Sequence, residues 1–364
     1  MNSRLSQLRS LMTKRNLDAA LISSVPNITY LTGFSHFSKD EREAFLFITK
    51  AKQYILTDGR YSEAVVNKIN DFELIEISTK LSLEKALKLL VEKHDAKKVG
   101  IDHYSITLAE HKKLSSCFKA LKHFSIESLR IIKDSSEITA IEKACRLGDK
   151  TFKRILGKVK EGITEKELAF EIEFFIKKSG ADISFPPIVA FGKNSSIPHH
   201  KSADKKLEKN SIVLLDFGVR LNNYCSDMTR TVFFGSANAK FKKMYQTVLD
   251  AQQKAIKALT SDGGPERSRM DSSEVDRVAR SYITSKGFPS IPHSLGHGIG
   301  LDVHESPRLS PKSKDILKPG MVFSIEPGIY LPGYGGVRIE DVVAIEKSGP
   351  RALTKSPKEL IEVK

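Results

Sequence analysis

Cysteine is scarce in this sequence, and its few cysteines are not spaced as a redox or metal-binding motif. The 364-residue chain has three cysteines, Cys117, Cys145 and Cys225, and no CxxC pair. A disulfide framework needs an even set of regularly spaced cysteines, and disulfides are rare in reducing compartments. We therefore expect three free thiols.

Long apolar runs are also missing. No run of apolar residues approaches the ~20 that a helix needs to cross a bilayer. The first 22 residues lack the apolar centre of a secretion signal and predict an amphipathic helix instead. These absences favour a cytoplasmic protein with no membrane partner.

Charge of one sign is in excess, but it is not concentrated anywhere. Lysine and arginine number 59 against 44 aspartates and glutamates, a formal net charge of +15. Such a balance is compatible with a nucleic-acid partner. The basic residues are spread along the whole chain, without a long basic block or an aromatic-plus-basic RNA motif, so we interpret them as a solvated, lysine-rich surface. Nucleic acid is disfavoured as a partner.

The length allows two domains. Residues 1–128 alternate strand-like and helix-like segments and predict a compact α/β domain, and 129–364 form the remainder, with the connector at 128–136. The first domain is predicted to contain strands at 18–22, 43–50, 52–57, 72–77 and 98–102 and helices at 62–69, 82–94 and 107–118.

The second part of the chain repeats one order of elements: helix, helix, loop, hairpin. Residues 134–136 are candidate caps for a helix that runs to about residue 160, and Thr164 precedes a helix that ends near Gly180. The further predicted helices are 240–259 and 272–286. Between them, the polar segment 261–269 predicts a mobile surface loop, and 293–305 predicts a glycine-rich loop.

The first hairpin carries two carboxylates in an apolar setting. Asp216 follows the apolar run 212–215, and Asp227 lies past the turn-like residues 221–223. A turn at 221–222 places the two acids directly opposite each other, and a turn at 222–223 places them diagonally on one face. Because like charges repel, either arrangement indicates a shared cation.

The second hairpin repeats this arrangement. Its strands, 321–330 and 337–345, carry Glu326 and Glu340 symmetrically about Gly333, and Arg338 is expected on the face of Glu340. The glycine-rich segment between the hairpins holds three histidines, His293, His297 and His304, and its glycines are expected to let backbone approach a site closely.

Four buried carboxylates without counter-charge are unfavourable by several kcal/mol each. Oxygen-rich ligation with one imidazole favours Mn²⁺, with Co²⁺, Fe²⁺ and Zn²⁺ as alternatives. So many ligands fit two divalent ions, about 3.5–4 Å apart.

These residues resemble a known ligand set. In type, order and spacing, Asp216, Asp227, His297, Glu326 and Glu340 resemble the five metal ligands of the pita-bread metallopeptidases. The segments HSLGHGIGLDVHE, EPGIY and GGVRIED resemble the aminopeptidase P and prolidase branch, which cleaves Xaa-Pro bonds. The N-terminal segment, with LTGF at 31–34, is similar to the creatinase-like domain of that branch.

The resemblance implies an α+β fold. Its C-terminal part, 129–364, would be a pita-bread (creatinase/aminopeptidase-like) catalytic domain, preceded by a smaller α/β creatinase-like N-terminal domain, 1–128. It also implies a homodimer that acts on a proline-containing peptide or dipeptide.

Further roles follow from the resemblance by position. His199 corresponds to a histidine that contacts the scissile region, with the adjacent His200 a less suitable substitute. His304 resembles the histidine that stabilises the tetrahedral intermediate, and His293 the one that lines the proline pocket. Arg338 resembles an arginine that holds substrate and the surrounding carboxylates.

The implied reaction is attack on the carbonyl before proline by a hydroxide that bridges the two metals. Glu326 both binds metal and transfers the proton.

Three other functions are compatible with parts of this pattern. The extra N-terminal domain argues against a methionine aminopeptidase. All five ligands are kept, which argues against creatinase, a similar fold that works without metal, and against a non-enzymatic peptide- or nucleic-acid-binding module. The sequence leaves prolidase and aminopeptidase P open.

Overall fold

The computed structural model describes residues 3–38, 41–260 and 270–364. The chain divides into two compact units, Met1–Arg130 and Ile131–Lys364. The loop predicted at 261–269 lies outside the described residues. Within the described ranges, no helix is both long and apolar enough to cross a membrane.

The first unit is built on a six-stranded sheet with the order β4-β3-β2-β1-β5-β6. β1 pairs antiparallel with β2 and parallel with β5, so the sheet is mixed. In chain order the elements are α1 (Ser3–Lys14), β1 (Ala19–Ile22), α2 (Val25–Thr32), β2 (Ala44–Thr49), β3 (Gln53–Asp58), α3 (Ser62–Lys68), β4 (Glu73–Ile77), α4 (Leu83–Lys93), β5 (Lys98–Ile101), α5 (Leu108–Ser115) and β6 (Ala120–His123).

All the strands and helices predicted in this unit are confirmed, but α2 and β6 were missed. The sequence of α2, VPNITYLT, is rich in β-branched residues that disfavour a helix. Its central residues, Asn27–Leu31, are all buried, and Gly33 ends it with φ +77°. Burial therefore overrides propensity here.

The helices of the second unit begin at the predicted caps. Asp134 accepts hydrogen bonds from the backbone N–H groups of Ser136 and Glu137, and Thr164 accepts one from Glu167. The helix predicted to reach residue 160 ends earlier, because Gly157 is its C-cap. The helices from the connector onward are α6 (Ser128–Ile131), α7 (Ser135–Leu156), α8 (Glu165–Lys178), α9 (Ala239–Ala258) and α10 (Ser272–Ser285).

Two larger sheets carry the acidic hairpins, with the orders β22-β12-β9-β8 and β15-β14-β17-β20-β21. The strands are β7 (Asp182–Ile183), β8 (Ile188–Phe191), β9 (Ser211–Phe217), β10 (Val219–Leu221), β11 (Tyr224–Cys225), β12 (Met228–Phe234), β13 (Met270–Asp271), β14 (Gly296–Gly298), β15 (Glu305–Leu309), β16 (Ile316–Leu317), β17 (Val322–Ile325), β18 (Gly328–Leu331), β19 (Gly335–Arg338), β20 (Asp341–Glu346), β21 (Gly349–Ala352) and β22 (Glu362–Val363).

The first hairpin adopts the second of the two predicted registers. Asp216 pairs with Thr229, and Arg220 pairs with Cys225, so the turn lies at Asn222-Asn223. Both asparagines have positive φ, +49° and +74°, as a two-residue type I′ turn requires. Asp216 and Asp227 are therefore diagonal neighbours on one face.

The second hairpin has the predicted register but a shorter loop. Ile325 pairs with Asp341 and Gly328 with Arg338, which places Glu326 and Glu340 opposite each other between these pairs. The loop predicted at 331–336 is wrong at its ends, because Leu331 pairs with Gly335.

The segment 293–305 is also wrong as a continuous loop, since Gly296–Gly298 forms β14. A Cβ atom on Gly296 would lie 1.9 Å from the carbonyl oxygen of Ser324. This glycine is thus required for close approach of two backbone segments beside the site.

A buried ion pair connects the two hairpins behind the acidic residues. Arg230 Nη2 lies 2.7 Å from Asp341 Oδ1, and both side chains are 1% exposed. Arg230 Nη1 also donates to the carbonyl oxygens of Thr229 and Glu340. Burial opposes ionisation of Asp341, but Arg230 and Lys358 prevail and lower its pKa to about 2.

We predict that Asp341→Asn lowers the free energy of unfolding by about 3 kcal/mol, because it leaves the Arg230 guanidinium buried without its anion. The folded pKa lies below the unfolded value of about 3.9, so the stabilisation is complete above about pH 4 and is lost as the pH falls towards 2. Urea unfolding in chelator at pH 7 and at pH 3 measures both effects. Asp204→Asn, at an exposed ion pair, is the control and should change stability by less than about 1 kcal/mol. An equal effect of the two variants would contradict the prediction.

Candidate metal centre

Five side chains, located in strands or between consecutive strands, face one common space. Asp216 lies in β9 and Asp227 just before β12, while Glu326 and Glu340 lie where the second hairpin is interrupted, and His297 lies in β14. The Glu340 N–H donates to the Thr229 carbonyl oxygen at 3.1 Å, which joins the two hairpins at this point. Asp216, Asp227 and Glu340 are 8%, 4% and 2% exposed.

The facing atoms are close enough to share a cation. Ligand atoms of Asp227, His297 and Glu340 all lie within 4.8 Å of one another. His297 Nε2 lies 3.3 Å from Glu326 Oε1 and 3.6 Å from Asp227 Oδ2. Asp216 is held on its other side by Arg338, whose Nη2 donates to Asp216 Oδ2 at 2.5 Å.

Three carboxylate oxygens in this space are buried and have no hydrogen-bond partner among the described residues: Asp216 Oδ1, Asp227 Oδ1 and Glu340 Oε1. The second oxygen of Glu340 is satisfied by the Thr229 hydroxyl at 2.7 Å. Leaving a buried acceptor unsatisfied is unfavourable by about 1–3 kcal/mol, and more for a charged one. A cation would satisfy all three.

The imidazole is oriented for the same role. His297 Nδ1 lies 3.2 Å from the Gly298 carbonyl oxygen, to which it donates, so the lone pair of Nε2 is left for a cation. One imidazole with several carboxylates is a donor set that fits divalent ions such as Mn²⁺. The residues present therefore fit the metal that the sequence predicted.

Without metal, burial favours the protonated form of three of the acids. Burial, followed by the charges of Glu340 and Asp216, raises the pKa of Asp227 well above its usual value. Burial, followed by the charge of Glu326, also raises the pKa of Glu340 well above its usual value. Burial raises the pKa of Glu326 to about 8.

One side of the site is a chain of hydrogen bonds from His293 to Arg338. His293 Nδ1 donates to the Ser294 carbonyl oxygen at 2.8 Å, and Tyr330 donates its hydroxyl hydrogen to His293 Nε2 at 2.9 Å. Arg338 Nη1 in turn donates to the Tyr330 oxygen at 2.8 Å. Burial lowers the pKa of His293 to about 4, so this imidazole is neutral at physiological pH.

The other predicted histidines differ in their surroundings. His304 is exposed at the surface of the site, and its ring centroid lies 4.3 Å from that of His297. Partial desolvation beside that ring, then the charges of His297 and His199, lower the pKa of His304. His199 is exposed. His200, in contrast, lies with its Nε2 2.7 Å from the buried Glu165, so it is engaged in the scaffold.

Sequence reasoning missed three side chains that organise the site. Thr229 contacts both Glu340 and Arg338, Ser324 contacts Glu326 and His297, and Tyr330 joins His293 to Arg338. Because side chains alternate along a strand, Thr229 and Ser324, each two residues from an acid, share its face. This alternation could have predicted that Thr229 and Ser324 lie at the site.

Comparisons with known proteins agree with this geometry. Residues 139–347 match the model of metallopeptidase family M24, and residues 4–132 match that of the creatinase/prolidase N-terminal domain. Together with the mixture of helices and strands, these matches confirm the predicted fold class, a creatinase-like N-terminal domain followed by a pita-bread domain.

Relatives match over nearly the whole chain. A Xaa-Pro dipeptidase of Pyrococcus horikoshii is 36% identical, over 99% of this chain and 99% of its own. The solved structure of a Xaa-Pro dipeptidase from Bacillus anthracis is 34% identical with a TM-score of 0.90, covering 99% of both chains. That of an X-Pro aminopeptidase from Thermotoga maritima is 31% identical with a TM-score of 0.87, covering 99% of this chain and 100% of its own.

We predict that Asp227→Asn stabilises the metal-free protein but weakens its stabilisation by metal. In the metal-free protein the raised pKa values make stability fall as the pH rises from about 4 towards 8. Removing one of the facing charges should therefore raise the melting temperature in chelator at pH 7.5, while the increase on adding Mn²⁺ becomes smaller because a ligand is lost.

Thermal unfolding in chelator and in excess Mn²⁺ measures both changes. Asp182→Asn, at an exposed strand residue, is the control and should alter neither. A loss of stability in chelator, with an unchanged response to Mn²⁺, would show that Asp227 is a structural residue.

Proposed function

Because the chain belongs to metallopeptidase family M24, we propose that it hydrolyses the Xaa-Pro bond of short peptides. The observation that carries this proposal is the set of buried, facing carboxylates with unsatisfied oxygens, which suits the metal chemistry of the family. The names of the Xaa-Pro dipeptidase relatives support dipeptides as the preferred substrate. Longer Xaa-Pro peptides are the alternative, supported by the aminopeptidase relative.

We propose that two divalent ions, Mn²⁺ in the first place, are held by Asp216, Asp227, His297, Glu326 and Glu340. Carboxylate-rich donor sets favour Mn²⁺, and Co²⁺, Fe²⁺ and Zn²⁺ are the alternatives. When bound, the ions would supply Lewis-acid polarisation of the scissile carbonyl and activation of water.

Glu326 is the proposed proton carrier. Its carboxyl is within the cluster but less buried than Glu340, and Ser324 fixes one of its oxygens at 3.1 Å. A carboxylate held at this position can accept a proton from water and release it to a leaving group. It would take the proton of the attacking water and deliver it to the proline nitrogen.

His304 and His199 are the proposed donors to the scissile carbonyl oxygen and its surroundings. Both are accessible to a substrate, unlike His200, and His304 lies against the imidazole of His297. Removal of a donor of this type typically lowers kcat by 10²–10³-fold.

His293 and Arg338 are the proposed substrate-binding residues. The imidazole of His293 is neutral and fixed in one orientation by Tyr330, which suits contact with an apolar proline ring. Arg338 keeps Tyr330 and Asp216 in place.

We also propose that the enzyme acts in the cytoplasm as a homodimer. Three reduced thiols, all buried, are consistent with a reducing compartment. The homodimer rests on the resemblance to the prolidase branch. We propose that residues 129–364 form the catalytic domain and residues 1–128 the creatinase-like domain.

We predict metal-dependent cleavage of Xaa-Pro bonds. Purified protein loaded with Mn²⁺ should hydrolyse Ala-Pro, and the activity should disappear with chelator and return with Mn²⁺. Release of free proline measures the reaction. Ala-Pro-Ala, assayed in parallel, distinguishes dipeptidase from aminopeptidase specificity.

Ala-Ala and Met-Ala-Ala are the control substrates, and their cleavage should be at least about 10²-fold slower, because a pocket formed for proline is only partly filled by alanine. Absence of metal-dependent cleavage of both proline peptides would contradict the proposed function. Preferential cleavage of Met-Ala-Ala would indicate a methionine aminopeptidase.

A further inference from the structure

Three histidines outside the acidic site lie together on the N-terminal unit. His103 begins a 3₁₀ turn, His111 lies in α5 and His123 ends β6. The ring centroid of His103 is 5.2 Å from that of His111 and 5.0 Å from that of His123. We call these residues the N-terminal histidine cluster.

The fold of this unit brings the three residues together. β5 and β6 are parallel neighbours in which Ile101 pairs with His123, so the chain leaving β5 passes beside the end of β6. The N–H of His103 donates to His123 Nδ1 at 3.3 Å. α5, whose start is fixed by the capping box of Thr107 and Glu110, presents His111 from the other side.

We propose that the N-terminal histidine cluster binds one divalent transition-metal ion of the zinc, nickel and copper class. Two imidazoles on a tetrahedral ion, with metal–nitrogen distances of about 2.0–2.1 Å, have ring centres roughly 5 Å apart. Both measured separations from His103 match that spacing. Imidazole nitrogen is the donor that Zn²⁺, Ni²⁺ and Cu²⁺ prefer.

The hydrogen bonds of His111 leave one nitrogen for an ion. Ser115 Oγ donates to the His111 carbonyl oxygen at 2.7 Å, so its lone pairs face His111 Nδ1 at 3.4 Å. With Nδ1–H oriented towards Ser115, the lone pair of Nε2 is available, which is the usual arrangement of a ligating histidine.

Closure on an ion requires rotation of two rings. Among the described residues, the group of three whose ligand atoms already lie within 4.8 Å of one another is in the acidic site, so the three imidazoles do not yet converge. His103 and His123 are exposed, so their rings have room to turn; rotation of His123 breaks its long hydrogen bond from the His103 N–H and its edge contact with the Tyr104 ring. Water would complete the coordination.

The cluster is chemically distinct from the acidic site. Its donors are imidazoles, whereas the other site is dominated by carboxylates, so the two should prefer different ions. Slight desolvation, then the charges of His123 and His111, lower the pKa of His103, which favours the neutral imidazole that a metal ion binds.

The test uses tag-free full-length protein carrying Asp227→Asn and His297→Gln, so that the acidic site does not compete. Equilibrium dialysis with Ni²⁺, and electron paramagnetic resonance with one equivalent of Cu²⁺, measure affinity and ligand type. We expect one ion per chain, nitrogen hyperfine structure from at least two imidazoles, and an affinity about 10-fold or more lower in His103→Gln/His123→Gln.

His36→Gln, which removes another exposed histidine of the same unit, is the matched control and should leave affinity unchanged. His103 and His123 are both exposed, so circular dichroism of His103→Gln/His123→Gln should show an intact fold. The proposal would be overturned if His103→Gln/His123→Gln left the Ni²⁺ affinity unchanged. It would also be overturned if the protein with all three histidines of the cluster gave a Cu²⁺ spectrum with a single nitrogen donor. Neither result depends on the proposed peptidase activity.

Discussion

Four carboxylates from two hairpins face one another, and three of them, those of Asp216, Asp227 and Glu340, are buried. Burying one such charge is unfavourable by several kcal/mol, and the facing charges add repulsion. The described residues place one guanidinium, that of Arg338, against this group, and it is bonded to Asp216. In the metal-free protein, burial and this repulsion raise the pKa values of Asp227 and Glu340 well above their usual range, which favours their protonated forms. Two divalent cations would carry as many charges as the four acids, and they would replace both the protons and the missing hydrogen bonds.

The rest of the second unit keeps these charges in place against their repulsion. The Arg230–Asp341 ion pair bonds the two hairpins from behind, through the backbone of Thr229 and Glu340. Gly296 allows β14 to pass close to Ser324, which then contacts both His297 and Glu326. The acidic cluster therefore depends on two sheets and on the ion pair that connects them.

Much of the site could be predicted from the sequence, because hairpin registers follow from local turn chemistry. The symmetry about Gly333 placed Glu326 opposite Glu340, and the period of two placed Arg338 on their face. The first hairpin was ambiguous by one residue, and the positive φ angles of Asn222 and Asn223 resolve it. Side-chain contacts between segments that are distant in the sequence could not be predicted from the pattern. Nothing local shows that Arg338 pairs with Asp216 or that Tyr330 reaches His293, since these contacts join distant segments. The helix α2 was missed for the same reason, because burial overrides its β-branched sequence.

The number and position of bound ions test the account most directly. Crystals of the protein grown with Mn²⁺ should show two anomalous peaks at the manganese absorption edge, about 3.5–4 Å apart, with Asp227 and Glu340 contacting them and Asp227→Asn crystals losing at least one. A single peak, or peaks away from these carboxylates, would contradict the claim that the facing acids form a two-cation site.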